Sequence, residues 1–405
     1  MLNSTFWRAT LAVSLASLIT FFNLYLVQPL LPMFRERYQL STLEASGMLS
    51  YAMLGLALGL AVLASASDSF GRRKILLGSL WFSPLLTLVI AFAGELDFNY
   101  LLALRFAQGL VLAGIPAVAV AFLGELLEPP KLIKAVGIFI AANSIGGIGG
   151  RLISGWGAEL MGSWQWAFMA IAALSLVVAT LVHYLLPDEP PRERKPWRLL
   201  QSLSNYGLHL KRWPLLVAFA VGGGGFGIFT QQFNYLTFLL AEPPYELPSS
   251  WLSMLFLAYL AGTFTATQSG RLAQRWGMRR GISCGLLVMI GASLLSATGN
   301  LLLILAALAL LSSGFFLTHS QASAYVNQRA TQAKASASAL YVISYYLGAA
   351  LGAFMIEPFY QRWAWLGVVG VSVVTLSVLA LVAFVSLQDP ARSKRSEQDK
   401  GLAAS

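Results

Sequence analysis

The feature that most constrains this chain is a series of apolar runs, each about 20 residues long, that recur throughout the sequence. A run of this length crosses the roughly 30 Å hydrocarbon core of a bilayer as a helix. The 405 residues are 57% hydrophobic and 11% charged, against about 25% charged in a soluble protein. The pattern lacks the short alternating segments of an outer-membrane barrel. The sequence therefore predicts an integral, all-α membrane protein.

Twelve transmembrane helices are predicted. They cover residues 9–34, 44–66, 75–94, 99–123, 134–157, 164–186, 214–241, 250–270, 281–299, 301–325, 335–357 and 364–387. The first run is too long for the core of a signal peptide, so we expect it to remain as the first helix. The single cysteine, Cys284, can form no internal disulfide.

The net charge of +10 is distributed unevenly along the chain. If the N-terminus is cytoplasmic, 22 of the 27 Lys and Arg residues lie on one side of the membrane. The opposite side keeps Arg35, Arg37 and Arg362, while Arg105 and Arg151 lie inside helices. The positive-inside rule then predicts a multi-pass membrane protein with both termini in the cytoplasm. The same placement argues against a nucleic-acid partner.

The chain is predicted to consist of two six-helix halves. Residues 1–186 form the first half, 187–213 a polar cytoplasmic linker, 214–387 the second half and 388–405 a cytoplasmic tail. The linker contains prolines that argue against one straight helix. The sequence contains no catalytic constellation and no phosphate-binding loop in a strand–helix context, so we expect neither an enzyme nor a cofactor.

Two patterns repeat after about 200 residues. A basic hairpin at 68–74 has a second version at 270–280, in which Gln274 stands in the place of Asp68. Glycines at 146 and 150 correspond to glycines at 348 and 352. Such repeats predict pseudo-symmetric halves with a substrate between them, as in one large class of transporters.

Three signatures give the chain a family resemblance over its whole length. The matching residues are Asp68, Gly71, Arg72 and Arg73 in the hairpin, Arg105, Gln108 and Gly109 in the fourth span, and Gly137, Gly146, Gly150 and Gly155 in the fifth. On these residues the chain resembles the major facilitator superfamily. Stretches 143–147, 150–155 and 345–348 are similar to the acriflavine-sensitivity (YnfM-type) branch of efflux carriers.

The chain departs from the family pattern at several positions. The antiporter signature has proline after its third glycine, whereas this chain has Arg151, and Ser154 replaces another glycine. In the first hairpin, Ala64 and Ala66 stand where the family favours glycine and leucine. These departures weaken the antiporter assignment.

The resemblance implies that the first hairpin latches the two halves together at a cytoplasmic gate. The expected gate residues are Asp68, Gly71, Arg72, Arg73, Gly277 and Arg279. Gly71 suits a left-handed turn, and Asp68 can accept hydrogen bonds from a helix N-terminus or pair with an arginine. The alternative is a basic loop that only sets topology.

Buried charge is the second candidate feature, because a charge inside a helical bundle is costly and is by default functional. Arg105 and Arg151 are predicted at similar depths, about 8–9 Å from the membrane surface at 1.5 Å per residue. They should repel unless an anion or carbonyl oxygens separate them, and each could instead only cap carbonyls. No carboxylate lies near the midplane, so His319 and Glu357 are the candidate proton carriers. His319 could also be structural.

In the fold that the resemblance implies, the first, fourth, seventh and tenth spans line a central cavity. The candidate cavity residues are Tyr25, Gln28, Gln108, Asn143, Gln231, Gln232, Asn234, Tyr235, Tyr341 and Tyr345. Amides and aromatic rings without acids suit an uncharged or anionic solute. Alternatively, each polar group bonds between helices.

The predicted function is secondary active transport of a small organic solute by alternating access. The resemblance implies proton-coupled efflux across the bacterial inner membrane. The first alternative is a facilitator or importer of an anionic metabolite, favoured by the two buried arginines. The second is a transporter-like sensor or scaffold that moves no solute. The expected partners are the solute, the proton and the lipid bilayer, and the protein is expected to be a monomer.

Overall fold

The computed structural model describes residues 4–191, 197 and 199–388, and these residues are almost entirely helical. The helices are α1 (Thr5–Tyr25), α2 (Leu31–Tyr38), α3 (Thr42–Phe70), α4 (Arg72–Phe92), α5 (Phe98–Leu112), α6 (Gly114–Leu126), α7 (Pro129–Met161), α8 (Trp164–Leu185), α9 (Leu199–Leu210), α10 (Trp213–Ala241), α11 (Ser249–Met254), α12 (Tyr259–Trp276), α13 (Met278–Ser296), α14 (Leu301–Arg329) and α15 (Lys334–Ser386). The predicted tail from 389 onward and residues 192–196 of the predicted linker lie outside the described residues.

Local sequence sets where several helices begin and break. A capping box starts α3, because the Ser41 hydroxyl accepts from the Glu44 amide and the Glu44 carboxylate accepts from the Ser41 amide at 2.8 Å. The fourth predicted span is divided into α5 and α6 at Ala113. Pro116 has no N–H to donate to the carbonyl of Leu112, which weakens the helix at this point.

The last helix is too long to cross a membrane once. It has 53 residues, about 80 Å at 1.5 Å per residue. Its backbone leaves helical geometry at Trp363 and Ala364, where φ is −131° and 48°. This break lies between the two spans predicted at 335–357 and 364–387. With α15 counted once, eleven helical segments in the described part of the chain are long and apolar enough to span a bilayer, and the count of twelve stays a prediction.

The chain forms two compact units. Unit one comprises residues 1–200 and 233–257, and unit two comprises 201–232 and 258–405. The boundary between the units thus falls within α10, and the second part of α10 (residues 233–241) belongs to unit one together with α11.

Each unit contains one pair of helices in close backbone contact through glycines. In unit one, a Cβ atom on Gly146 of α7 would lie 2.5 Å from the carbonyl oxygen of Leu18 in α1. In unit two, a Cβ atom on Gly348 of α15 would lie 1.9 Å from the carbonyl oxygen of Gly223 in α10. Real side chains do not tolerate such distances, so these glycines allow the helices to approach. In both units, glycines of the repeat thus permit close packing of two helices.

Candidate functional site

Arg105 lies in α5, is completely buried, and binds the C-terminal end of α1. Its guanidinium donates to the carbonyl oxygens of Asn23 at 3.0 Å, Leu24 at 2.7 Å and Met48 at 2.7 Å. Since α1 ends at Tyr25, its last carbonyls have no N–H partner within the helix, and a cation also complements the helix dipole there. Arg105 therefore caps α1 and joins it to α3 and α5.

A chain of polar side chains continues from Arg105 through the core of unit one. The Gln108 carbonyl oxygen accepts from Arg105, and its amide nitrogen donates to the Thr87 hydroxyl at 2.7 Å. Thr87 in turn donates to Asn23 at 2.6 Å, and Asn23 donates to Ser175 at 2.9 Å. Gln108, predicted to face a cavity, thus bonds to Arg105 within α5 and to Thr87 of α4.

Arg151 in α7 is also completely buried, but aromatic rings surround it instead of helix-end carbonyls. Its guanidinium carbon lies 4.0 Å from the ring centre of Tyr25 and 4.3 Å from that of Phe256. The guanidinium also donates to the Gln28 side chain and to the Gly147 carbonyl, each at 2.6 Å. Ring faces carry partial negative charge, so these contacts stabilise the desolvated cation.

The predicted depth of Arg151 needs correction. The α7 helix continues to Met161, beyond the predicted end at 157, and stops where Gly162 adopts a φ of 65°. Arg151 is therefore ten residues from the helix end, about 15 Å at 1.5 Å per residue. Carbonyl oxygens were suggested as one way to relieve repulsion between the arginines. Three of them bind Arg105, whereas Arg151 contacts one carbonyl, one side-chain amide and two rings.

Gln28 extends the Arg151 contacts into the second part of α10. Its amide nitrogen donates to the side-chain oxygen of Asn234 at 2.6 Å while its own oxygen accepts from Arg151. The structure thus brings Tyr25, Gln28 and Asn234 together around Arg151 within unit one. All three were predicted to face a cavity, but the sequence did not indicate that they lie around the same arginine.

Residues 233–257 have further contacts within unit one that the sequence did not indicate. Arg35 forms an ion pair with Glu242. The Ser249 hydroxyl donates to the carbonyl of Gly155 at 3.0 Å, and Glu159 accepts from the Ser250 amide at 3.0 Å. The only signal for these contacts was Gly155, which appeared as one glycine of the fifth-span signature.

His319 in α14 lies in an aromatic cluster within unit two. Its Nδ1 atom is 3.1 Å from the hydroxyl oxygen of Tyr341. The imidazole ring centre lies 4.9 Å from the ring of Tyr345 and 5.7 Å from that of Phe315. Tyr345 also stacks on Phe226, with ring centres 3.6 Å apart. The structure brings together three predicted site residues here: His319, Tyr341 and Tyr345.

The other polar candidates of unit two bond within that unit. Gln231 donates to a carbonyl of α15 at 2.9 Å, and Gln232 donates to the Ser293 hydroxyl at 2.6 Å. Glu357 is 4% exposed and accepts from Gln361 at 3.1 Å, one turn further along α15. Each of these three side chains thus has a hydrogen-bond partner within unit two.

Two cavity candidates remain in unit one. Asn143 in α7 accepts a hydrogen bond from the Ser17 hydroxyl of α1. Tyr235 is completely buried and its ring packs edge-on against Phe238, with centres 6.3 Å apart. The ten predicted cavity residues thus divide between the two units, and nine of them contact named polar or aromatic partners on another helix.

The first basic hairpin is built around Gly71, whose φ of 98° is in the region that favours glycine. The carboxylate of Glu189 accepts from the backbone amides of Arg72 at 3.2 Å and Arg73 at 3.4 Å. Asp68 instead pairs with Arg72 at 3.2 Å. Asp68 was predicted either to bind a helix N-terminus or to pair with an arginine. It pairs with Arg72, and the N-terminus of α4 is bound by Glu189 of the linker.

The second hairpin repeats the backbone but not the charges. Gly277 has a φ of 82°, close to that of Gly71, and ends α12 as Gly71 ends α3. The guanidinium carbon of Arg279 lies 4.8 Å from the ring centre of Phe384. In the first hairpin, by contrast, Arg72 pairs with Asp68 and Glu125.

Comparison with known proteins identifies the family. Residues 13–353 match the Major Facilitator Superfamily. The chain belongs to this superfamily. It is 34% identical over 401 residues to the uncharacterized MFS-type transporter YybF of Bacillus subtilis, covering 98% of this chain and 97% of the relative. It is 33% identical over 377 residues to the inner membrane transport protein YnfM of Escherichia coli, covering 93% and 89%.

Further comparisons support the fold and extend the range of relatives in the superfamily. A solved bacterial homologue of the human lysosomal transporter Spinster, in an inward-facing and unoccupied conformation, superposes with a TM-score of 0.75, at 15% identity, over 95% of this chain and 97% of that one. The chloramphenicol resistance protein CraA of Acinetobacter baumannii is 30% identical over 174 residues, which is 42% of this chain and 41% of the relative.

The family assignment makes this chain a membrane-embedded transporter and not an enzyme. The described residues contain no group of three or more His, Cys, Asp or Glu side chains placed to hold a metal ion. The polar side chains described above make contacts of two kinds. In unit one, the guanidiniums of Arg105 and Arg151 bind carbonyls, side-chain amides and aromatic rings, and in unit two the imidazole of His319 lies within hydrogen-bond distance of the Tyr341 hydroxyl.

Proposed function

We propose that this chain exports a small, neutral organic solute from the bacterial cytoplasm by alternating access, driven by protons. The observation that carries the proposal is the surroundings of Arg105 and Arg151, whose guanidiniums are already bound by carbonyls, amides and aromatic rings of unit one. An anionic solute would have to displace these contacts. A neutral solute can use amides and rings without doing so.

His319 is the proposed proton carrier. Its ring nitrogens can bind and release a proton, and Tyr341 is in contact with the Nδ1 atom. Glu357 is the weaker candidate, because its carboxylate bonds to Gln361 on its own helix. Export is supported by the similarity to CraA, which is named for chloramphenicol resistance, and by the spaced glycines of α7.

The second candidate function is facilitated diffusion or import of an anionic metabolite. It is favoured by one observation, the complete burial of two guanidiniums in one unit. For this function the contact between Gln28 and Arg151 would open to admit a carboxylate or phosphate. A sensor or scaffold without transport is not favoured by any side-chain contact that we describe.

The two functions are separated by flux in liposomes that contain the purified protein. Three probes are compared with and without a pH gradient: chloramphenicol as a neutral solute, benzoate as an organic anion and ethidium as a cationic dye. The proposal predicts that the gradient accelerates chloramphenicol movement above the rate in protein-free liposomes. Benzoate movement that is protein-dependent and indifferent to the gradient would favour the second function, and ethidium transport would contradict the proposed selectivity.

A further inference from the structure

An apolar groove on unit one has a lysine at one end. The groove has a volume of about 390 Å³ and lies between α3 and α4, with α5 at its base. Val62 and Leu63 form one wall, Ile75 and Phe82 form the other, and Leu110 contributes to the base. Phe82 is 61% exposed, so the groove opens to the surroundings of the helices. For a membrane-embedded chain, those surroundings are lipid.

Lys74 supplies the charge at the groove. It lies in the first turn of α4, is exposed, and lines the same groove as Phe82, eight residues further on. Eight residues of helix span about 12 Å. A lysine near a helix end carries its ammonium to the membrane–water interface while its stem follows apolar surface. The groove therefore runs from a cation at the interface into the hydrocarbon region.

The other cations of this hairpin are already paired. Arg72 bonds to Asp68 and Glu125, and Arg73 lies 3.6 Å from Asp188. Within the part of the chain that the structure describes, no carboxylate lies within 4.0 Å of the Lys74 ammonium. Lys74 can thus hold an external anion without breaking an internal ion pair.

A second groove on α4 provides a comparison. It has a volume of about 450 Å³ and is lined by residues between Leu85 and Leu96, all of them apolar. Both grooves can receive an acyl chain, but only the groove with Lys74 offers a charge that would select a headgroup. Complementarity therefore points to an occupant with an anionic head and an apolar tail.

We infer that the groove between α3 and α4 is a binding site for an anionic phospholipid, whose phosphate contacts Lys74 and whose acyl chain follows Val62, Ile75 and Phe82. The site lies outside the groups assigned to solute and proton. It would fix the hairpin at 68–74 to the lipid surface on that side of the membrane.

The test uses the full chain in phosphatidylethanolamine vesicles with a small fraction of a diazirine-bearing phospholipid. Phosphatidylglycerol and phosphatidylcholine probes with identical acyl chains are compared, and adducts are mapped by mass spectrometry after illumination. The inference predicts roughly fivefold more labelling of residues 59–63 and 75–82 by the phosphatidylglycerol probe, as expected for one lysine near an anionic headgroup.

Two variants make the test specific. Lys74→Gln should reduce labelling by the anionic probe to the level of the zwitterionic one. Gly78→Leu should lower labelling by both probes, because Gly78 lines the groove and a Cβ at this position has no atom within 4 Å. Gly291→Leu, at an equally open position of α13, is the control and should change nothing.

Equal labelling of the groove by both probes in the wild-type protein would overturn the inference, because the lipid that surrounds any membrane protein would give the same result. A preference for phosphatidylglycerol that survives Lys74→Gln would do the same. Neither result depends on transport, so failure here leaves the proposed function untouched.

Discussion

The two units share a backbone plan but differ in their buried polar groups. Both pack a pair of helices through glycines, at Gly146 in unit one and Gly348 in unit two. Unit one then buries two permanently charged guanidiniums, whereas unit two buries an imidazole among tyrosines. An arginine stays protonated at any physiological pH, and a histidine does not have to. Under the proposed function, unit one supplies fixed structure and unit two supplies the titratable group.

Among the variants that test this difference between the units, we expect the largest loss of stability at Arg105. Arg105→Met leaves three buried carbonyls without their donor, and each loss is worth about 1–3 kcal/mol. We expect the free energy of unfolding to fall by about 3 kcal/mol or more, measured by thermal unfolding in detergent. Arg105→Lys keeps the charge and should recover part of the loss. A methionine variant as stable as wild type would show that Arg105 is not a structural cap.

The second effect tests whether the glycine pairs are equivalent. Gly348→Ala places a Cβ 1.9 Å from the carbonyl oxygen of Gly223, and overpacking of this kind destabilises by about 1–3 kcal/mol. Gly146→Ala, with 2.5 Å to Leu18, should destabilise less. Gly370→Ala in α15 meets open space and is the matched control. Equal stability of the Gly348 and Gly370 variants in detergent would contradict the packing account.

The third effect concerns the aromatic surroundings of Arg151. Arg151→Lys keeps the charge but loses the flat guanidinium that lies over Tyr25 and Phe256. We expect a loss of about 1–2 kcal/mol, the range for a desolvated cation on aromatic rings. Arg275→Lys, at an exposed position of α12, should leave the unfolding temperature unchanged. If Arg151→Lys and Arg275→Lys unfold at the same temperature, the aromatic rings do not stabilise Arg151.

The smallest effect is expected at the first hairpin. Glu189→Gln removes the charge that faces the N-terminus of α4, worth about 0.3–1 kcal/mol for a partly exposed acid. Glu246→Gln, an exposed acid in the turn after α10, is the control. The comparison is read from thermal unfolding at low and high salt. A difference between the variants that does not shrink at high salt would argue against an electrostatic cap.

Features that depend on local spacing could be predicted from the sequence. Gly71 and Gly277 both take the left-handed conformation that a tight helix–helix turn requires, and the repeated glycines of α7 and α15 do bring backbones together. The capping box at Ser41 is of the same kind. In each case residues within a few positions determine the geometry.

Features that depend on distant partners could not be predicted. Arg105 bonds to carbonyls at the end of α1, and a carbonyl has no signature in a sequence. Glu189 was one charge among many in a polar linker, so nothing marked it as the acid at α4. The contacts of residues 233–257 depend on where Glu242 and Asn234 lie in space.

The central claim is tested most directly by removing the titratable group of unit two. His319→Gln is compared with wild type in liposomes by two assays, chloramphenicol movement driven by a pH gradient and chloramphenicol counterflow without one. His183→Gln, at the exposed end of α8, is the control for loss of a histidine. The account predicts that the His319 variant loses the gradient-driven component and keeps counterflow. Gradient-driven movement at the wild-type rate in that variant would contradict it.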